Sequence, residues 1–169
     1  MKTVGKALLL ILVVSTIGCD RVTKHLASTS LAGAPPQSYL ADTLRLEYSE
    51  NSGAFLSFGA DLPMWIRTTI FTLGVGFTLT LLAVVGLKRH WAGSRFVGAA
   101  LMWAGGTSNL IDRAARGSVV DFINVGMGSL RTGIFNVADL AIVFGFALVV
   151  IGGSQNEGMI GSTILQTFS

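Results

Sequence analysis

Charged side chains are scarce in this chain: Asp, Glu, Lys and Arg together make up 12% of it, against 51% hydrophobic residues. That balance excludes an ordinary soluble globule and fits a polytopic membrane protein. Cysteine is reduced to Cys19, which rules out a disulfide within the chain. Histidine is reduced to His25 and His90, which offer no zinc-ligand spacing, so neither a metal nor a cofactor is expected. Basic residues outnumber acidic ones, 12 to 9. They form no basic stretch interleaved with aromatics, so nucleic acid is not an expected partner. Internal repeats and low-complexity tracts are missing too, and 169 residues fit one domain.

What the chain does contain is long apolar runs. A bilayer core about 30 Å thick needs roughly 20 residues of helix. Residues 64–87 carry one charge, Arg67, and residues 134–153 carry only Asp139. Residues 96–111 are uncharged and reach spanning length as 94–114. Residues 7–19 are short for a span, but a helix continued through Asp20 and Lys24 to residue 27 is long enough. The reading is four transmembrane helices, at about 7–27, 64–87, 94–114 and 134–153. Lys2 and Lys6 precede the first, and Lys88, Arg89 and Arg95 lie between the second and third. Basic residues mark cytoplasmic loops, so both termini are expected inside and residues 29–63 and 115–133 outside.

The first outer segment has its own pattern. Leu44, Leu46 and Tyr48 alternate with Thr43, Arg45 and Glu47, as in a strand with one apolar face. Asn51-Ser52-Gly53 supplies a turn, and Ala54-Phe55-Leu56-Ser57-Phe58 can return as a second strand. This predicts a small extracytoplasmic β-ribbon beside the membrane; residues 119–125 read similarly.

Asp139 is the chain's most informative residue. An ionisable group in an apolar span costs roughly 2.5–3.5 kcal/mol on insertion scales and persists mainly where it works. Asn136 lies three residues before it, on the same helix face. Asn109, Asp112 and Arg113 share a face at the outer end of the third span, and Asp20 and Lys24 repeat the pattern on the first. Asp121 lies eighteen positions before Asp139, in a segment able to fold back over the helix end. The bland alternative is packing hydrogen bonds and ion pairs that lock helix ends. Two carboxylates at one membrane surface favour acid–base hydrolysis. A rival class is an ion- or proton-coupled carrier, which places such acids near the midplane of repeated halves. A non-catalytic assembly factor explains the helices and leaves the paired acids unaccounted for. Gly74, Gly76, Gly105 and Gly106 are read as sites of close helix approach.

These motifs resemble the bacterial lipoprotein signal peptidases, or signal peptidase II family, over about residues 16–145. Asp20-Arg21-Val22-Thr23-Lys24 and Asn51-Ser52-Gly53-Ala54-Phe55 are similar to the family's first two boxes. Asn109-Leu110-Ile111-Asp112-Arg113, Val119-Val120-Asp121-Phe122-Ile123 and Phe135-Asn136-Val137-Ala138-Asp139 are similar to the other three. The resemblance implies an inner-membrane aspartyl endopeptidase that cuts a prolipoprotein just before its diacylglyceryl-modified cysteine. It implies Asp121 and Asp139 as the catalytic pair. Asp20, Lys24, Asn51, Gly53, Phe55, Asn109, Asp112, Arg113 and Asn136 are then substrate-binding or supporting residues. Globomycin-type cyclic peptides are the implied inhibitors, membrane lipid a further partner, and a monomer the expected state. Arg21 departs from the family's usual Gln, and Ala104 and Ser108 stand where Gly is common.

The residues support that chemistry independently. Hydrolysis by two carboxylates needs one ionised to take a proton from water and one protonated to hydrogen-bond the scissile carbonyl. Like charges a few ångströms apart do not both ionise, so such a pair shares a proton near neutral pH. No Ser or Cys here has a plausible His partner for a nucleophilic alternative.

Overall fold

The computed structural model of the chain describes residues 3–53, 63, 65–66 and 69–167. Among them, four α-helices carry one small sheet. They are α1 (Thr3–Ser30), α2 (Gly74–Lys88), α3 (Gly93–Arg116) and α4 (Val137–Thr167). A π-helical turn, Thr69–Leu73, leads into α2. The strands are β1 (Gln37–Tyr39), β2 (Leu44–Asn51), β3 (Val119–Met127) and β4 (Leu130–Arg131), antiparallel in the order β1-β2-β3-β4.

The sheet differs from the expected ribbon. β2 does appear where the alternation places it, but its neighbours are β1 and the distant β3, with Ser49 opposite Asp121. A register shift between Leu46 and Ser49 interrupts the ladder. Both outer segments thus join in one sheet, a long-range pairing that local alternation does not encode. The expected return strand, with Phe55 and Phe58, lies outside the described residues.

α3 is the central helix, packed against α1, α2 and α4, while α4 also touches α1. Bare backbone makes the α3–α4 contact close. A Cβ on Gly98 or Gly145 would strike the other helix's backbone, and one on Gly105 would meet the Ala138 carbonyl. Gly106 likewise accommodates Leu79 of α2. Gly76 does not play the expected part, since its nearest such neighbour is Leu110 at 3.8 Å, and Gly74 faces open space. α3 stops at Gly117, whose φ of 74° is left-handed and whose N–H caps the Arg113 carbonyl.

Among the described residues no helix is long and apolar enough to cross a membrane. Asp20, Arg21 and Lys24 fall within α1, α2 has 15 residues, and α3 ends in Asp112, Arg113 and Arg116. The helices nevertheless leave large apolar side chains uncovered. Leu8, Leu10, Ile11 and Val14 of α1 and Val143, Phe144, Phe146 and Ile151 of α4 are all exposed.

The sheet is fastened to the end of α1 by a small core. Ala27 and Leu31 pack with Val120 and Phe122, flanked by Leu46, Tyr48, Ile123 and Val137. Side chains alternate along a strand, so a β3 anchored through Val120 and Phe122 turns Asp121 the other way. At the sheet's far side, Leu40, Ala41 and Asp42 take consecutive left-handed φ values of 53°, 51° and 68°. Such backbone is unfavourable for L-residues. It is held by Arg45, which grips Asp42 through two 2.6 Å bonds, and by Arg131, which donates to the Asp42 carbonyl at 2.7 Å. The hydrogen bonds from Arg45 keep the Asp42 carboxyl well below the usual range.

Candidate active site

The first turn of α4 is built around Asp139. Asn136 is the N-cap: its Oδ1 accepts the Asp139 N–H at 3.0 Å, and Asp139 Oδ2 accepts the Asn136 N–H at 3.1 Å. This reciprocal exchange satisfies two amide donors left open at a helix start. The residue before the cap ties α4 to the sheet. Phe135 accepts from Phe122 and Ile123 at 3.0 and 2.9 Å and donates to the Ile123 carbonyl at 2.9 Å. That bridge carries Asn136 to Asp121, where its Nδ2 donates to Oδ1 at 2.6 Å.

One asparagine therefore bonds both acids. The remaining carboxylate oxygens have amide partners as well. Asn51 Nδ2 donates to Asp121 Oδ2 at 3.0 Å, and Asn109 Nδ2 donates to Asp139 Oδ1 at 2.9 Å. Asn51 also accepts from the Gly53 N–H at 3.0 Å, and Arg113 Nη2 donates to the Gly53 carbonyl at 2.8 Å. Arg113 Nε is buried with no hydrogen-bond partner among the described residues.

Behind Asn109 lies a buried charge cluster. Lys24, 1% exposed, reaches Asn109 Oδ1 at 2.7 Å, Asp20 Oδ2 at 2.7 Å and Asp112 Oδ2 at 2.8 Å. One hydrogen bond and two close carboxylates compensate the buried ammonium. Asp20 uses its second oxygen, Oδ1, to accept the Ala138 N–H at 2.8 Å, joining α1 to the start of α4. The helix N-terminus favours that negative charge.

Ten of the eleven residues singled out by sequence occur in this assembly, and Phe55 lies outside the described residues. Asn51, Asn109 and Asn136 bond the two acids directly, whereas Asp112 stands behind them, held by Lys24, Arg21 and Arg116. Arg113, four residues after Asn109 on the same helix, turns to Gly53 instead of pairing with Asp112. Two residues seen only as departures from the family pattern belong to the network. Arg21 ion-pairs Asp112, and fully buried Ser108 donates to Asp20 Oδ2 at 2.6 Å. Their signal in the sequence was position: Ser108 precedes Asn109 and Arg21 follows Asp20.

Asp121 is only 3% exposed. Burial pushes its carboxyl up to about 6; the Asp139 charge adds to the rise, while bonds from Asn51 and Asn136 oppose it. A carboxyl that exchanges its proton near neutral pH beside a second carboxylate can serve acid–base chemistry.

The chain as a whole is similar to known proteins. A family described as Signal peptidase (SPase) II matches residues 12–153. The chain belongs to the signal peptidase II family. It is 35% identical to the lipoprotein signal peptidase of Escherichia coli O157:H7 over 114 residues, covering 68% of this chain and 70% of that one. It is 36% identical to the one of Hydrogenovibrio crunogenus, covering 78% and 76%. The relative from Citrobacter koseri is 33% identical over 84% of this chain and 87% of its own. Two solved structures, each described as a bacterial membrane enzyme, share the fold. They superpose with TM-scores of 0.77 and 0.73 at 25% and 26% identity, covering 89% and 86% of this chain and 90% and 92% of theirs. This signal peptidase II family member is thus a bacterial membrane protein of four helices and a small sheet.

Proposed function

We propose that the protein is the membrane protease that removes signal peptides from prolipoproteins, with Asp121 and Asp139 acting as a pair on one water. The observation that carries this reading is the Asn136 side chain, bonded to Asp121 at 2.6 Å and to the Asp139 N–H at 3.0 Å. It aims two acids from different elements at one place. One carboxylate takes a proton from water as the oxygen attacks the scissile carbonyl. The other, protonated, hydrogen-bonds that carbonyl oxygen. Collapse of the tetrahedral adduct breaks the C–N bond, and the departing amine takes a proton from the pair. The amine released is that of the diacylglyceryl-modified cysteine.

Buried Arg113 Nε has an N–H to spare for a substrate carbonyl, and Gly53 and Asn51 beside it set the start of the segment holding Phe55. We assign Phe55 a part in holding the lipid-modified substrate, and expect globomycin-type cyclic peptides to occupy the same site. Asp20, Lys24 and Asp112 hold Asn109 and the α4 start in place.

The setting is the bacterial inner membrane, with four spanning helices, both termini cytoplasmic, the acids outside, and the protein a monomer. Average apolarity understates α1, because two of its charges point inward. Asp20 and Lys24 are 0% and 1% exposed, while Leu8, Ile11 and Val14 face out. Lipid meets the outward face, and the charged residues meet each other.

The deciding experiment is cleavage by purified protein in detergent. A diacylglyceryl-modified prolipoprotein should be cut before the modified cysteine with no metal or nucleotide added, and the unmodified precursor should be spared. Cleavage that required a metal would overturn the two-carboxylate reading.

A further inference from the structure

The end of the bundle away from the acids holds a polar cavity. It lies in the turn joining α2 to α3, has a volume of about 340 Å³, and is lined by Arg89, His90, Trp91, Ser94, Arg95 and Gly152. Asp112 and Arg95 stand seventeen residues apart on α3. At 1.5 Å per residue that is roughly 25 Å, close to the thickness of a bilayer's hydrocarbon core. The turn therefore reaches the opposite membrane surface from the carboxylates.

The turn is shaped rather than loose. Arg89, His90 and Trp91 donate backbone hydrogen bonds to the carbonyls of Val85, Leu87 and Gly86 at 2.9, 3.2 and 3.0 Å. His90 and Gly93 adopt left-handed φ values of 50° and 57°, which reverse the chain sharply. Arg95 lies flat on α4 because Gly153 has no side chain: a Cβ there would be 2.6 Å from Nη2.

Among the described residues its charge is unanswered: Lys88, Arg89 and Arg95 form no ion pair with any of them. Two arginines line this one cavity, with Lys88 next in sequence to Arg89, and they suit an anion. Arginine forks match phosphate oxygens, and Trp91 is the residue type that settles at headgroup depth. Lipid is favoured over free phosphate by the neighbouring surface. Trp91 packs on Gly86, and Gly86 and Leu87 also border an apolar cavity of about 210 Å³ with Phe96, Leu9 and Val13. Phosphate and acyl chain would thus find matching surfaces at one turn.

We propose that the α2–α3 turn binds the phosphate group of an anionic phospholipid through Arg89 and Arg95. The site is independent of the carboxylate pair and of the cleavage reaction. Its test is lipid retention by the full chain in a neutral detergent, measured by native mass spectrometry with phosphatidylglycerol, phosphatidylcholine or inorganic phosphate added. Phosphatidylglycerol should be retained over phosphatidylcholine. Charge-assisted bonds are strong enough that losing both arginines in Arg89→Gln/Arg95→Gln should weaken this by about tenfold or more. Arg89→Gln alone, at an exposed position, should show part of the loss without disturbing the Arg95 packing on α4. Equal retention of the two lipids, or unchanged retention in both variants, would overturn the site. Inorganic phosphate displacing phosphatidylglycerol at equal concentration would overturn the lipid assignment.

Discussion

Asn136 and Asp121 are joined by a 2.6 Å hydrogen bond between a helix cap and a strand. The asparagine needs both ends of its amide, since Oδ1 caps the helix and Nδ2 serves the acid. Asn136→Ala removes the cap and leaves a buried carboxyl short of a donor, an expected loss of about 1–3 kcal/mol. Asn136→Asp restores a cap oxygen and supplies no donor. It should recover part of the stability in chemical denaturation and little of the cleavage rate. Full cleavage by Asn136→Asp would show the amide donor to be dispensable.

Asp121→Asn and Asp139→Asn keep shape and volume but cannot exchange a proton as a carboxylate does. Each should lower turnover by about 10²–10⁴-fold or more, the usual range for general acid–base action. The double variant should be little worse, because the pair works as a unit. Both single variants should still bind a globomycin-type inhibitor. Near-normal turnover in either one would end the paired-acid mechanism.

The Asp121 carboxyl also makes stability depend on pH. Its folded pKa of about 6 lies above the ordinary 3.8, so the folded state holds this proton more tightly than the unfolded chain. The contribution is complete below about pH 4 and is lost as pH rises through about 6. Its ceiling is about 3 kcal/mol for a shift of roughly two units. Between pH 4 and 7, Asp121→Asn should remove this downward slope from the unfolding midpoint. An identical slope in both proteins would contradict a raised Asp121.

Glycine substitutions should separate close helix contact from mere small size. Gly105→Ala puts a methyl group against the Ala138 carbonyl, next to the cap that positions Asp139, whereas Gly76→Ala meets ordinary van der Waals contact at 3.8 Å. Gly105→Ala should cost about 1–3 kcal/mol and reduce cleavage. Gly76→Ala should be neutral within about 0.5 kcal/mol on thermal unfolding.

Orientation can be read with reporters. A periplasm-dependent reporter fused after Gln37 should be active and one fused after Arg89 inactive. The reverse pattern would place the acids, and the phospholipid turn, on the wrong faces.

The clustering of the candidate residues was legible in the sequence because they obey helical spacing. Asn136 and Asp139 at three apart, and Asp20 and Lys24 at four apart, had to share faces. What spacing could not supply was which face met which. The pairing of β2 with β3, the turn of Arg113 toward Gly53, and the three-way hold on Asp112 all depend on contacts between distant segments. The Asp42–Arg45–Arg131 lock was invisible for a further reason: its left-handed turn is built from Leu40, Ala41 and Asp42, not from glycine.

Asp20 lies on the first helix and accepts the Ala138 amide of the last. A ribosome delivers these two partners at opposite ends of synthesis. Until α4 emerges, Asp121 lacks Asn136, Asp20 lacks its amide, and Asp139 does not yet exist. On the proposed reading, a truncated or half-made chain therefore carries no paired-acid centre, and membrane neighbours are safe from it until the final helix docks.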